Sequence, residues 1–108
     1  LNPIDPQLGY VFGGLAYSYL IKAEYQSALD YARRTTHEMP RWMAGWTGII
    51  AAAAYLGDLQ EAHKAKDRLL ELQPTFSIAT YRLKGAIRDK RVCDLMDQGL
   101  RLAGVPEE

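Results

Sequence analysis

The chain is poor in the residues from which reactive centres and membrane anchors are built. Its single cysteine, Cys93, cannot form an internal disulfide, and its two histidines, His37 and His63, are too far apart to make a local metal motif. No side of the charge balance dominates: 13 Lys+Arg meet 13 Asp+Glu, which argues against a surface devoted to phosphate or nucleic acid. Uncharged runs stop at 16 residues, as in 42–57, which includes Thr47 and three glycines. A membrane-spanning helix needs roughly 18 or more apolar residues. No Gly-rich phosphate loop, Cys and His cluster, or Ser, His and acid set is placed by any motif, so neither catalysis nor a cofactor nor a metal is expected. At 108 residues the chain suits one domain. It opens at Leu1 without Met or signal peptide and reads as a cytoplasmic piece of something longer.

What is present is a repeat. Shifted by 34, "AEYQSALDYA" falls on "GDLQEAHKAK", with Glu24 on Asp58, Tyr25 on Leu59 and Ala28 on Ala62. Pro6, Pro40 and Pro74 keep the same step, as do Phe12 with Trp46 and Leu15 with Ile49. Local signals divide each unit into two helices. Asp5-Pro6 opens the first, over 6–22, and Lys22, Ala23 and Glu24 form a turn. The second carries Tyr25, Ala28, Leu29 and Ala32 and stops before Pro40. The third spans 42–56, Gly57 takes the left-handed position, and Asp58 caps a fourth over 59–73. Beyond Pro74 the lattice decays, yet Leu83, Ile87, Leu95, Met96, Leu100 and Ala103 retain helical spacing. This predicts helices over 75–87 and 90–103, with Asp89 and Gly104 as caps and Pro106 beyond.

A 34-residue period with a closing Pro resembles the tetratricopeptide repeat family, whose pattern runs Trp, two residues, Leu-Gly, two residues, Tyr, then Ala, three residues, Phe, and Pro. The first unit offers Phe12, Leu15, Ala16, Tyr19, Ala28, Ala32 and Pro40; the second offers Trp46, Ile49, Ile50, Ala53, Ala62, Lys66 and Pro74. Ile50 for the family's Gly and Ala53 for its Tyr form a volume exchange, and Lys66 for its aromatic implies a less buried outer helix. The resemblance implies an all-α, right-handed solenoid forming one domain: repeats at 6–40 and 41–74, a degenerate capping pair at 75–104 and a tail at 105–108. It places Trp46 between adjacent units and Ala28 and Ala62 at the closest approach of paired helices. The decayed last pair reads as the end of the array. Pro6, and Gly9, Gly13 and Gly14 in the first helix, are expected to face a missing upstream repeat, or else to be glycines tolerated by packing.

In this family the first helix of each pair lines a concave partner-binding face. By the resemblance that face holds Tyr10, Gly13, Tyr17 and Ile21 from the first helix and Ala44, Thr47, Ala51 and Tyr55 from the third. These rows lack the Lys and Asn with which chaperone-binding relatives clamp acidic C-terminal peptides. They suit a helix or an extended apolar peptide anchored on Tyr10, Tyr17 and Tyr55. Three functions remain open: an interaction or homodimerisation module, a structural spacer, and a small-molecule effector domain using Tyr10, Tyr17 and Thr47. His37 and His63 read as surface residues and Cys93 as an inert, buried thiol. The cations Arg82, Lys84, Arg88, Lys90 and Arg91 read as a solvated face offset by Asp94, Asp97, Glu107 and Glu108, with no nucleic-acid partner. The end "LQPTFSIATYRLKGAIRDKRVCDLMDQGLRLAGVPEE", after "GLAYSYLIKAEYQSALDYARR", is also similar over nearly the whole chain to the C-termini of bacterial multidomain regulators, in which such an array follows an adenylate or guanylate cyclase or a winged-helix domain. That resemblance implies a regulatory role in signalling, with any cyclase chemistry outside this segment.

Overall fold

The structure is a computed structural model that describes residues 6–84 and 90–108, without the side chains of 6 and 82–84. Among these residues it is all-α, with α1 (Pro6–Ile21), α2 (Tyr25–Glu38), α3 (Met43–Leu56), α4 (Leu59–Leu72), α5 (Ile78–Lys84) and α6 (Lys90–Leu102). The expected caps at Asp5 and Asp89, the end of the fifth helix at Ile87, Arg88, and the side chains of the basic residues Arg82 and Lys84 lie outside what is described.

Composition sets the place of each helix. α3, "MAGWTGIIAAAAYL", carries no charge and is apolar nearly all round, and such a helix must be covered on every side. It is the centre of the molecule: α2 and α4 flank it, α6 lies across it, and α1 touches it as well. Ile50, Ala51, Ala52 and Ala53 have no exposed surface. By contrast α2 and α4 are amphipathic and bury only the stripes Ala28, Leu29, Ala32, Thr35 and Ala62, Ala65, Leu69. Small residues permit the close approach, since a Cβ on Gly48 would lie 3.2 Å from that of Ala32. Ala28 and Ala62 are completely buried, as expected at a tight crossing. Trp46 is half-buried rather than enclosed, and its indole Nε1 donates to the Pro40 carbonyl at 2.8 Å.

The 34-residue step is written into the backbone hydrogen bonds. At the α1–α2 turn Ala23 N donates to Leu20 O (3.0 Å) and Glu24 N to Tyr19 O (2.9 Å); at the α3–α4 turn Gly57 N donates to Ala54 O (3.1 Å) and Asp58 N to Ala53 O (2.9 Å). Both turns close through a left-handed residue, Ala23 at φ 61° and Gly57 at φ 83°. The exits from α2 and α4 match too: Met39 N to Thr35 O and Gln73 N to Leu69 O are each 2.8 Å, and Trp42 N to Met39 O and Phe76 N to Gln73 O are each 3.0 Å. As expected, the Asp58 side chain caps α4 by accepting from Glu61 N at 3.2 Å.

After Phe76 the repetition ends. α5 begins at Ile78 rather than at Thr75, because Ser77 and Thr80 form a reciprocal cap: Ser77 N donates to Thr80 Oγ1 (2.9 Å) and Thr80 N to Ser77 Oγ (3.2 Å). The C-terminal tail completes that cap, its Pro106 and Glu107 carbonyls accepting from Ile78 N and Ala79 N at 2.9 and 3.0 Å. The left-handed Gly104, φ 82°, turns the chain out of α6 to make this return possible. It is α6 that packs on α3. Tyr55 Oη donates to Leu95 O at 2.6 Å, and a Cβ on Gly99 would meet Ala51 Cα at 2.9 Å, so the pairing runs 55 to 95 and 51 to 99 and the two helices are antiparallel.

Candidate functional site

The site grows out of that break in the repeat. α5 starts just over one period after α3, yet among the described residues it packs on α6 and does not lie along α3. The gap left between them is a cavity of about 630 Å³, open on one side. One wall is the α1 and α3 face, with Tyr10, Gly13, Gly14 and Tyr17 from the former and Met43, Ala44 and Thr47 from the latter, joined by Trp42. The rest of the lining comes from Gln73, Phe76, Thr80 and Tyr81, with Val92 from α6.

Two aromatic pairs face the space. Tyr10 meets Trp42 edge to face, ring centroids 4.9 Å apart at 74°, and Phe76 meets Tyr81 at 6.0 Å and 88°. Gly13 makes room for the first pair, because a Cβ there would sit 2.8 Å from Trp42 Cζ3. A Cβ on Gly9 would likewise strike the Met39 side chain. The expectation that these two glycines face an upstream repeat is therefore corrected: residues of this chain occupy the space beside them. Only at Gly14 is the space open, with no atom within 4 Å of a Cβ.

Hydroxyl groups bridge the walls. Tyr17 Oη lies 2.9 Å from Thr47 Oγ1 and donates towards Ala44 O at 3.4 Å, while Thr47 Oγ1 donates to the same carbonyl at 3.1 Å. Tyr81 reaches this pair from α5. Burial raises the Tyr17 phenol above the ordinary tyrosine range, against the lowering effect of the hydrogen bonds with Thr47 and Tyr81. The Tyr81 phenol is raised as well, first by burial and then by the neighbouring Tyr17. The network is neutral at ordinary pH and already paired, so it positions the walls; it offers neither a nucleophile nor a base.

Of the eight residues expected on the concave face, Tyr10, Gly13, Tyr17, Ala44 and Thr47 line the cavity. Ile21 lies apart from it, 59% exposed at the end of α1. Ala51 and Tyr55 face α6, and the Tyr55 ring also stacks on Tyr25 at 4.9 Å. Sequence reasoning did not single out Trp42, Gln73 and Phe76 as wall residues. The signal was there, since Trp42 and Phe76 stand one period apart. His37 and His63 are exposed, and Cys93 is half-buried. Among the described residues no group of three His, Cys, Asp or Glu side chains is placed to hold a metal, and no helix is long and apolar enough to cross a membrane. Compared with known proteins, the chain matches no family model and no curated sequence.

Proposed function

We propose that the chain is a tetratricopeptide-type helical repeat module that binds a protein partner, or a second copy of itself, through the face shared by α1 and α3. The observation that carries this reading is the recurrence of the same turn and exit hydrogen bonds at a 34-residue step, which sets α1 and α3 in equivalent places in successive units. Tyr10 is the natural anchor, being 56% exposed beside Trp42 at the mouth of the cavity. The resemblance that its sequence bears to the C-termini of bacterial multidomain regulators supports a regulatory role in a signalling protein. The covering of Ala51 and Tyr55 by α6 favours a second reading, the spacer, for that half of the face.

Sedimentation equilibrium over a concentration series, on the wild type and on Tyr10→Ser, is the test. A dimerisation module should self-associate and weaken by about tenfold or more when an exposed aromatic anchor is removed. If the chain is monomeric, a displayed peptide library selected on the wild type and counter-selected on Tyr10→Ser should return apolar, aromatic-rich peptides. A monomer that selects no Tyr10-dependent peptide would overturn the interaction reading and leave the spacer.

A further inference from the structure

We propose that the cavity between α1, α3 and residues 73–81 is a binding site for an uncharged, flat aromatic small molecule that carries a hydrogen-bonding group on its edge. The inference goes beyond the interaction reading and does not rest on it.

Size is the first argument. About 630 Å³ lies within the span of roughly 300–1,000 Å³ typical of small-molecule sites, and is more than one anchoring side chain needs. Charge is the second: among the described residues, none that lines the cavity is Asp, Glu, Lys, Arg or His, so an ionic ligand would leave water without a counter-charge among them. Lining is the third. The Tyr10–Trp42 and Phe76–Tyr81 pairs both line the space, and so many aromatic faces and edges favour a ring system over a flexible chain.

The polar groups narrow the choice. Tyr17, Thr47 and Tyr81 are engaged with one another, and Thr80 Oγ1 is engaged with Ser77. The half-buried Gln73 amide remains on the wall, able both to donate and to accept. A ring bearing an N–H, a carbonyl or a hydroxyl would meet it. Gly14 gives a way to fill the space without disturbing the helices, because it borders the cavity and a Cβ there meets nothing.

The experiment is a fluorescence titration with N-phenyl-1-naphthylamine, neutral and aromatic with one N–H, beside its sulfonated analogue 8-anilinonaphthalene-1-sulfonate. The neutral probe should bind one saturable site, at least about tenfold more tightly than the sulfonate, since the described lining residues offer no cation. Gly14→Phe should abolish this binding while Gly14→Ala retains it, and Gln73→Leu should weaken it severalfold. Amide shift changes on adding the neutral probe to the wild-type chain provide a readout free of mutations, and they should concentrate at Gly13, Gly14, Thr47 and Thr80. Absence of saturable binding would overturn the proposal, as would a sulfonate that binds equally well, unchanged binding to a folded Gly14→Phe variant, or shifts confined to the exposed Leu8 and Val11.

Discussion

The first four helices and the last two solve the same packing problem differently. In α1 to α4 each turn and exit recurs one period later, so local sequence decides where each helix goes. In α5 and α6 local sequence still makes the helices, but their placement comes from tertiary pairing: α6 lies antiparallel on α3, and the tail returns to cap α5. A repeat extends by copying, whereas an end must cover an apolar helix by whatever route the remaining chain allows. The cavity marks the seam between these two solutions, where α5 stands away from the α3 face that a further copied helix would have covered.

The sharpest way to break that seam is at Gly99. A Cβ there would lie 2.9 Å from both Cα and Cβ of Ala51, and backbone cannot yield as a flexible side chain does. Gly99→Leu should therefore cost about 3 kcal/mol of stability, towards the upper end for overpacking a close contact. Urea unfolding read by far-UV circular dichroism measures this. If α6 is a terminal cover, the loss should appear as an earlier, partial transition, with α1 to α4 unfolding near the wild-type midpoint. A single transition with an unchanged midpoint would mean that α6 does not pack on Ala51.

The hydroxyl cluster that spans the seam gives a smaller effect that depends on pH. Tyr17 and Tyr81 hold their protons in the folded chain beyond the pH at which exposed tyrosines lose them, because burial disfavours the phenolate. Stability from this source is complete below the unfolded-state value near pH 10 and is lost as pH rises above it, by about 1.4 kcal/mol per pH unit for each tyrosine. Urea midpoints at pH 9, 10 and 11 should fall steeply only over the last interval. Tyr81→Phe should reduce that slope by the share of one tyrosine; an unchanged slope would place the Tyr81 phenol in water.

This division also explains what could be read from the sequence. The boundaries of α1 to α4 were legible because their causes are local: Asp58 caps, Gly57 turns left-handed, and Pro40 and Pro74 follow each exit. The lattice likewise carried Tyr10, Gly13, Tyr17, Ala44 and Thr47 to one face. It could not show that α6 covers Ala51 and Tyr55, since nothing in α3 alone records the path of a helix some forty residues later in the chain. Trp42 and Phe76 were hidden for another reason: they occupy inter-helix exits, where attention to the helical faces does not fall. The Ser77 and Thr80 cap was readable as a local signal, but Pro74 and Thr75 drew the expected start earlier.

The mildest test lies within the repeating half, where the two matching turns differ in one residue. Both need a left-handed backbone, yet one uses Ala23 at φ 61° and the other Gly57 at φ 83°. Side chains other than glycine lose about 1 kcal/mol in this region, because Cβ crowds the following carbonyl oxygen. Gly57→Ala should therefore lower stability by about 1 kcal/mol, and Ala23→Gly should raise it by somewhat less, since glycine also loosens the unfolded chain. Thermal unfolding of the two single variants and of the double exchange would measure both steps. If the turns are equivalent, the exchange should come out nearly neutral, whereas a loss in both single variants would show that the Ala23 turn is closed by some other geometry than its counterpart one period later.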